Sequence, residues 1–248
     1  MSTIRLVAFR YLIFILIPFC GPQAAQGMEN YFNATSLTLQ QGHGFEVGGA
    51  SRDIATLEHA SAWNWGDLFA FYDRIREKDG GKLSYYGELS PRFSLSLLGL
   101  DTDFGIVRDV LLATTFERGS NGFRANLAGP GLTWNLPPFT HLSSNLYYRD
   151  TVGLAGATWQ LTVAWTLPFN TGPLQWYFNG YMDLRAAEGS AVSDLNVNPQ
   201  LKLDLGQAFG APNRFFAGVE YYHWNNKYGI EGVNERVLSP LLQVRMSL

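Results

Sequence analysis

The chain has 248 residues, 46% of them apolar, with 18 basic and 21 acidic residues, which excludes a disordered chain and a basic nucleic-acid-binding protein. Charged residues are only 16% of the chain, against ~25% in soluble domains, whereas aromatic residues are 15%. The mean hydropathy of -0.05 is too low for a bundle of spanning helices, because each needs ~20 consecutive apolar residues. If the chain crosses a membrane, strands must cross it.

Residues 1–27 are predicted to be a secretory signal peptide. Arg5 and Arg10 precede an apolar run at 11–19, and small residues follow at 24–27, where we place cleavage. The run is too short to span a bilayer, although an N-terminal anchor helix is the alternative. The single cysteine, Cys20, lies in this segment without the small residues before it that lipidation needs, so the mature chain is expected to have no disulfide.

Residues 28–248 are predicted to form one all-β domain, a transmembrane antiparallel barrel of twelve strands. In chain order the strands are expected at 31–40, 53–62, 67–73, 85–95, 104–116, 122–134, 141–149, 158–169, 174–183, 195–205, 214–224 and 242–248. Six of them alternate apolar and polar residues with a strict period of two, as strands do when one face lies in an apolar medium. In 158–169, for example, Trp159, Leu161 and Val163 share one face, and Gln160 and Thr162 share the other.

The connections between these strands also fit an outer-membrane barrel, which has short periplasmic turns and longer outer loops. Tight turns, most of them rich in Gly, Pro and Asn, are expected at 64–66, 99–103, 137–138, 170–173 and 206–213. Pro91 and Pro199 each remove a ladder hydrogen bond inside a regular strand, so a bulge or a strand end is expected at both. A soluble β-sandwich is the alternative, but it explains neither the signal peptide nor a strand that ends at the last residue.

Twelve strands tilted by ~40° close into a cylinder of radius ~12 Å, and inward side chains leave an open width of roughly 10 Å, enough for one small solute. The polar strand faces are expected to line this lumen. The candidate solute-binding residues are Tyr86, Glu88, Arg92, Tyr147, Arg149, Tyr177, Tyr181, Asp183, Glu220 and Tyr222, and Lys202, Asp204 and Arg245 are further charged lumen residues. Aromatic rings offer stacking faces for a planar ring, and carboxylates accept hydrogen bonds from hydroxyls and amines. Because the charge is mixed, without a dominant sign, a strongly anionic solute is not expected; the alternative is that these charges only pair with one another.

Two segments carry a resemblance to a known family. Residues 65–73, Trp-Gly-Asp-Leu-Phe-Ala-Phe-Tyr-Asp, and 88–94, Glu-Leu-Ser-Pro-Arg-Phe-Ser, resemble the nucleoside-specific channel-forming outer-membrane proteins, the Tsx-like family, with weaker similarity at 104–119 and 219–224. The resemblance implies a twelve-stranded barrel in the bacterial outer membrane, surrounded by lipid, whose narrow pore carries nucleosides, with Glu88 and Arg92 in the lumen. Facilitated diffusion needs no cofactor, and a monomer is expected because no association motif is evident.

Two other functions are weighed against this one. His141 and Ser143 share a strand face and resemble the His-x-Ser pair of phospholipase barrels, which makes an outer-membrane lipase the enzymatic alternative. The strand phase directs both side chains into the lumen, away from lipid, so an enzyme is not expected. A filled barrel with a structural or adhesive role is the second alternative. His43, His59 and His223 are dispersed, so no metal site is expected.

Overall fold

The computed structural model describes residues 28–247, so the predicted signal peptide, its cleavage site and Leu248 lie outside the described residues. The described chain forms a closed barrel of twelve antiparallel strands, in which each strand pairs with its neighbours in sequence and the first pairs with the last. This confirms the predicted fold. The strands are β1 Asn30–His43, β2 Ser51–Trp63, β3 Gly66–Glu77, β4 Leu83–Ser94, β5 Val107–Gly119, β6 Arg124–Trp134, β7 His141–Thr151, β8 Thr158–Thr171, β9 Leu174–Arg185, β10 Asp194–Asp204, β11 Phe215–Asn225 and β12 Glu235–Ser247.

The two faces of the barrel wall differ as the period of two predicts. Thr38 pairs with Gln243, and both are buried on the inner face, where the Gln243 amide donates to Thr38 Oγ1 over 2.9 Å. Their sequence neighbours Leu37 and Leu242 point outward and are 48% and 61% exposed. The outer face is therefore apolar and the inner face polar, the reverse of a soluble protein and the pattern of a barrel that is surrounded by lipid.

Aromatic side chains mark the end of the barrel at which both termini lie. Trp63 and Trp65 stack with ring centroids 6.4 Å apart at the β2–β3 turn, and Trp65 contacts Phe93 at 5.6 Å. Phe169 and Trp176 stack at 6.5 Å beside the β8–β9 turn. In an outer-membrane barrel this end faces the periplasm, and such rings form the girdle at that interface.

The prediction that every connection at this end is tight is wrong for two of the five. Residues 95–106 between β4 and β5 and residues 205–214 between β10 and β11 are both longer than the longest connection at the opposite end, 226–234. Each begins with a 3-10 turn, Leu95–Leu98 and Leu205–Phe209. Capping side chains start these turns and so end the strands before them. Ser94 Oγ accepts a hydrogen bond from the backbone N–H of Ser96 over 3.2 Å, and an Asp204 carboxylate oxygen accepts one from the backbone N–H of Gly206 over 2.9 Å. Leu95 and Leu205, predicted as strand residues, therefore leave the sheet.

The expectation of a bulge or strand end at the two prolines is also wrong. Pro91 lies inside β4 and Pro199 inside β10, and each pairs regularly with the preceding strand. On the other side, pairing with the following strand is interrupted at the proline and then resumes in the same register. At Pro91 the hydroxyl of Thr114 on β5 donates to the proline carbonyl over 2.8 Å, so a side-chain hydrogen bond joins the two strands there.

Candidate functional site

All ten predicted solute-binding residues face the lumen. The register places Tyr86 and Glu88 on β4 beside inward residues of β3, and it aligns Asp183 with Thr162 and Glu220 with Gln200 across neighbouring strands. The residues on this inner face are Tyr86, Glu88, Arg92, Tyr147, Arg149, Tyr177, Tyr181, Asp183, Glu220 and Tyr222. Their assignment to solute binding stays a prediction, and the structure divides them into buried wall residues and accessible ones.

One side of the lumen is filled by packed side chains. Arg149 and Glu117, each 4% exposed, form a bidentate ion pair with nitrogen–oxygen distances of 2.5 and 2.7 Å, and Arg149 also donates to Gln160 over 2.8 Å. Tyr147, 3% exposed, packs with Ala113 and Leu127. Arg149 and Tyr147 therefore belong to the barrel wall and offer little surface to a solute.

Arg92 is likewise held by an ion pair. Its guanidinium is 5% exposed and donates to both carboxylate oxygens of Asp67, over 2.8 and 2.6 Å, and also to Asn145 over 3.2 Å. Arg92 on β4 thus links its own strand to the neighbouring strand β3 and, inside the barrel, to β7, which lies three strands away. The alternative that lumen charges pair with one another is correct for Arg92 and Arg149.

Some inward-facing aromatic side chains remain accessible away from the ends of their strands. Tyr181 on β9 is 36% exposed and Phe69 on β3 is 37% exposed, although the register places both on the inner face. Accessible rings on the inside of a closed barrel show that the lumen has open space there. The sequence does not predict that Phe69 faces the lumen, because 67–73 has bulky apolar residues on both faces. Phe69 lies on one face and Leu68 and Tyr72 lie on the other, so polarity does not show which face is the inner one.

Four carboxylates surround Tyr181, and we call these five residues the waist: Asp73, Glu88, Tyr181, Asp183 and Glu220. Tyr181 interacts electrostatically with all four carboxylates. Each carboxylate is partly exposed and accepts from a neutral donor: Asp73 from Thr56 at 2.6 Å, Glu88 from Tyr86 at 2.7 Å, Asp183 from Thr162 at 2.5 Å and Glu220 from Gln200 at 2.6 Å. Asp73 was not predicted, for the same reason as Phe69.

The remaining predicted tyrosines lie towards the two ends of the lumen. Tyr177 is near the periplasmic end, where its hydroxyl donates to Asn213 over 2.5 Å and its ring meets Phe216 edge-on at 5.7 Å. Tyr222 is near the opposite end, in edge contact with Phe45 at 6.1 Å. Aromatic rings therefore occur at three levels along the lumen.

A buried ion pair joins two loops over the outer mouth. Lys227, 1% exposed, donates to Glu235 over 2.5 Å, and the other Glu235 oxygen accepts from the backbone N–H groups of Glu46 and Val47 over 3.0 and 3.1 Å. Lys227 Nζ also lies 4.8 Å from the ring centroid of Tyr222. Burial lowers the pKa of Lys227 to about 8, although Glu235 opposes the shift.

The His-x-Ser pair forms its hydrogen bond inside the barrel. His141 Nε2 and Ser143 Oγ lie 3.2 Å apart. The register pairs them with Thr166 and Ala164 on the inner face, so neither side chain reaches the lipid-facing surface where a phospholipase would act.

The sign of the lumen charge differs from the expectation of a mixed face without a dominant sign. On the inner face of the described strands, acidic side chains outnumber basic ones twelve to six. The acidic residues are Glu58, Asp67, Asp73, Glu77, Glu88, Asp109, Glu117, Asp183, Asp194, Asp204, Glu220 and Glu235. The basic residues are Arg52, Arg92, Arg149, Arg185, Lys202 and Arg245. The expectation of mixed charge rested mainly on the regularly alternating strands. The inner faces of the less regular strands carry almost only acidic residues, which produces the excess.

Comparison with known proteins identifies the fold. No family model and no curated protein matches the chain. Among solved structures it is similar to the KdgM porin in complex with disordered oligogalacturonate, with 12% identity, a TM-score of 0.51, and 87% of this chain and 99% of that chain covered. It is also similar to the NanC porin, with 11% identity, a TM-score of 0.51, and 86% and 100% covered. The chain therefore has the fold of these porins.

Proposed function

We propose that this protein is an outer-membrane channel through which nucleosides, or similarly small ring-bearing solutes, diffuse. The observation that carries the proposal is the accessible ring of Tyr181, 36% exposed on the inner face and surrounded by hydrogen-bonding carboxylates. The porin fold and the Tsx-like segments at 65–73 and 88–94 support it.

The arrangement suits a solute with one flat face and several polar edges. The base stacks on Tyr181, while ribose hydroxyls and exocyclic amines donate to the carboxylates of the waist, and Phe69 on β3 offers a further ring. Tyr222 and Tyr177 offer further rings before and after the waist. Because a solute that binds one site too tightly cannot leave, several weak sites in succession favour passage.

A conductance experiment tests the proposal. The refolded mature chain is inserted into a planar bilayer, and adenosine is titrated while single-channel current is recorded, with glucose as the control solute. We expect a small conductance that adenosine blocks saturably and glucose does not. Tyr181→Ala removes one stacking face, worth about 1–3 kcal/mol per base, so the half-blocking concentration of adenosine is expected to rise about 10-fold.

Tyr221→Ala is the matched control, because Tyr221 is one residue away from Tyr222 but points outward and is 39% exposed to lipid. Its half-blocking concentration should equal that of the wild type. A current that adenosine never blocks contradicts the nucleoside assignment.

The filled structural barrel is the second candidate, and the packed cluster of Tyr147, Ala113 and Leu127 favours it. That barrel predicts no current from protein that is folded and inserted. Any reproducible single-channel opening excludes it.

A further inference from the structure

Four of the six cations of the inner face are held in the wall of the barrel. Arg92 pairs with Asp67, Arg149 with Glu117 and Arg185 with Asp194, and each of these arginines is at most 7% exposed. Lys202, 3% exposed, donates to Gln243 over 3.1 Å. These four positive charges are therefore either paired with a carboxylate or covered by other side chains, and a solute in the lumen has little access to them.

The carboxylates of the waist are arranged in the opposite way. Asp73, Glu88, Asp183 and Glu220 are partly exposed, and among the described residues none of them lies in an ion pair. Their hydrogen-bond donors are hydroxyls and amides, which add no positive charge. The ionisable side chains that are accessible at this level are thus acidic ones, while the buried wall behind them contains both acidic and basic side chains.

Unpartnered acceptor atoms lie in the same region. Asn198, 2% exposed, is directly opposite Tyr181 across β9 and β10, and its Oδ1 has no hydrogen-bond partner in the described structure. Asn179, two residues from Tyr181 on the same face, has an unpartnered Oδ1 as well. A buried acceptor without a donor is costly, so both amide oxygens add unsatisfied acceptor capacity to the wall beside Tyr181.

We propose that the waist is a charge filter that admits cationic solutes and neutral solutes bearing amino groups and rejects anions. Rings of Asp and Glu side chains select cations in channels, and a narrow lumen between low-dielectric walls strengthens their field. The inference deepens the proposed channel function by naming its solute class, amine-bearing aromatic rings, and it rests on that function only in requiring an open pore.

The test is ion selectivity in a planar bilayer. With a tenfold KCl gradient, the zero-current potential of the wild type gives the permeability ratio of K⁺ to Cl⁻, which we expect to be at least ~5. Glu88→Gln/Asp183→Asn/Glu220→Gln removes three waist charges with little change of shape, and the ratio is expected to fall to ~1. Glu231→Gln, in the exposed part of the β11–β12 loop, is the matched control and should keep the wild-type ratio.

A pair of solutes with one ring and opposite charge gives a second readout on the wild type alone. Tyramine carries an ammonium group and 4-hydroxyphenylacetate a carboxylate on the same phenol ring. We expect tyramine to block the current at a concentration at least ~10-fold lower. This comparison stays decisive if the triple variant does not fold.

The outcomes separate this inference from the function on which it rests. Cation selectivity without adenosine block supports the filter and contradicts the nucleoside assignment. Adenosine block with a K⁺ to Cl⁻ ratio of one or less, or preferred block by 4-hydroxyphenylacetate, overturns the filter and leaves the channel function standing. Absence of current from inserted protein overturns both.

Discussion

At the scale of single residues, the buried pair of Arg149 and Glu117 stabilises the wall of the lumen. Arg149→Met leaves Glu117 as an uncompensated buried charge, so the free energy of unfolding is expected to fall by about 3–5 kcal/mol. Arg149→Met/Glu117→Gln removes both charges and should recover much of that loss. Urea unfolding of the protein in vesicles measures both changes.

The control is the Arg76–Asp53 ion pair, in which the Arg76 side chain is 61% exposed. Because water screens such a pair, Arg76→Met should lower the stability far less than Arg149→Met does. Equal losses for Arg149→Met and Arg76→Met would mean that the lumen wall is wet rather than packed.

The sequence predicts which way a side chain points better than what it contacts. The strict alternation of 158–169 and 174–183 places Tyr181 and Asp183 on the inner face, as observed. It could not predict that Arg149 pairs with Glu117, because Glu117 lies on β5, whose alternation is irregular, and the contact crosses between strands that are not neighbours. The irregular alternation of such strands is also why the sequence does not predict the acidic excess of the lumen.

At the scale of elements, the loop that contains Lys227 predicts a pH dependence. Its pKa is lowered by burial to about 8, whereas the unfolded chain has the ordinary value of 10.5. Between these pH values the unfolded state holds a proton that the folded state has released, so stability rises with pH across this window. The full effect is on the order of 3 kcal/mol, since one pKa unit corresponds to about 1.4 kcal/mol.

The measurement is the urea midpoint of wild type and Lys227→Met at pH 7.5 and pH 10. Because tyrosines also titrate near pH 10, the difference between the two proteins is the quantity that reports on Lys227. We expect the wild type to gain stability relative to Lys227→Met as the pH rises. A relative loss would show that the Glu235 ion pair outweighs burial.

The connections show why element boundaries were only partly predictable. Six of the twelve strands are predicted by strict alternation and six by less regular segments, and all twelve are observed, paired in chain order. The ends of β4 and β10 depend on the caps at Ser94 and Asp204, which belong to the polar alternation and give no separate signal. Composition therefore predicted tight turns where capped 3-10 turns extend the connections.

At the scale of the whole molecule, membrane placement follows from the apolar outer face. Leu242 lies near the middle of β12 and is 61% exposed, so Leu242→Arg puts a charge in the lipid core and is expected to destabilise the barrel by about 2–4 kcal/mol in phospholipid vesicles. Phe209→Arg changes a residue that is 78% exposed in the β10–β11 connection, and it should cost only about 0–1 kcal/mol. Similar costs at both positions would contradict this placement.

The central claim concerns transport, and flux through the intact barrel tests it most directly. The refolded mature chain is reconstituted into vesicles, and uptake of radiolabelled adenosine and of radiolabelled glucose is followed beside protein-free vesicles. We predict adenosine uptake that saturates with concentration and is slowed by unlabelled cytidine, which also carries an exocyclic amine, with glucose entering far more slowly. Uptake of both solutes at equal rates, or of neither by barrels shown to be inserted, would contradict a nucleoside channel.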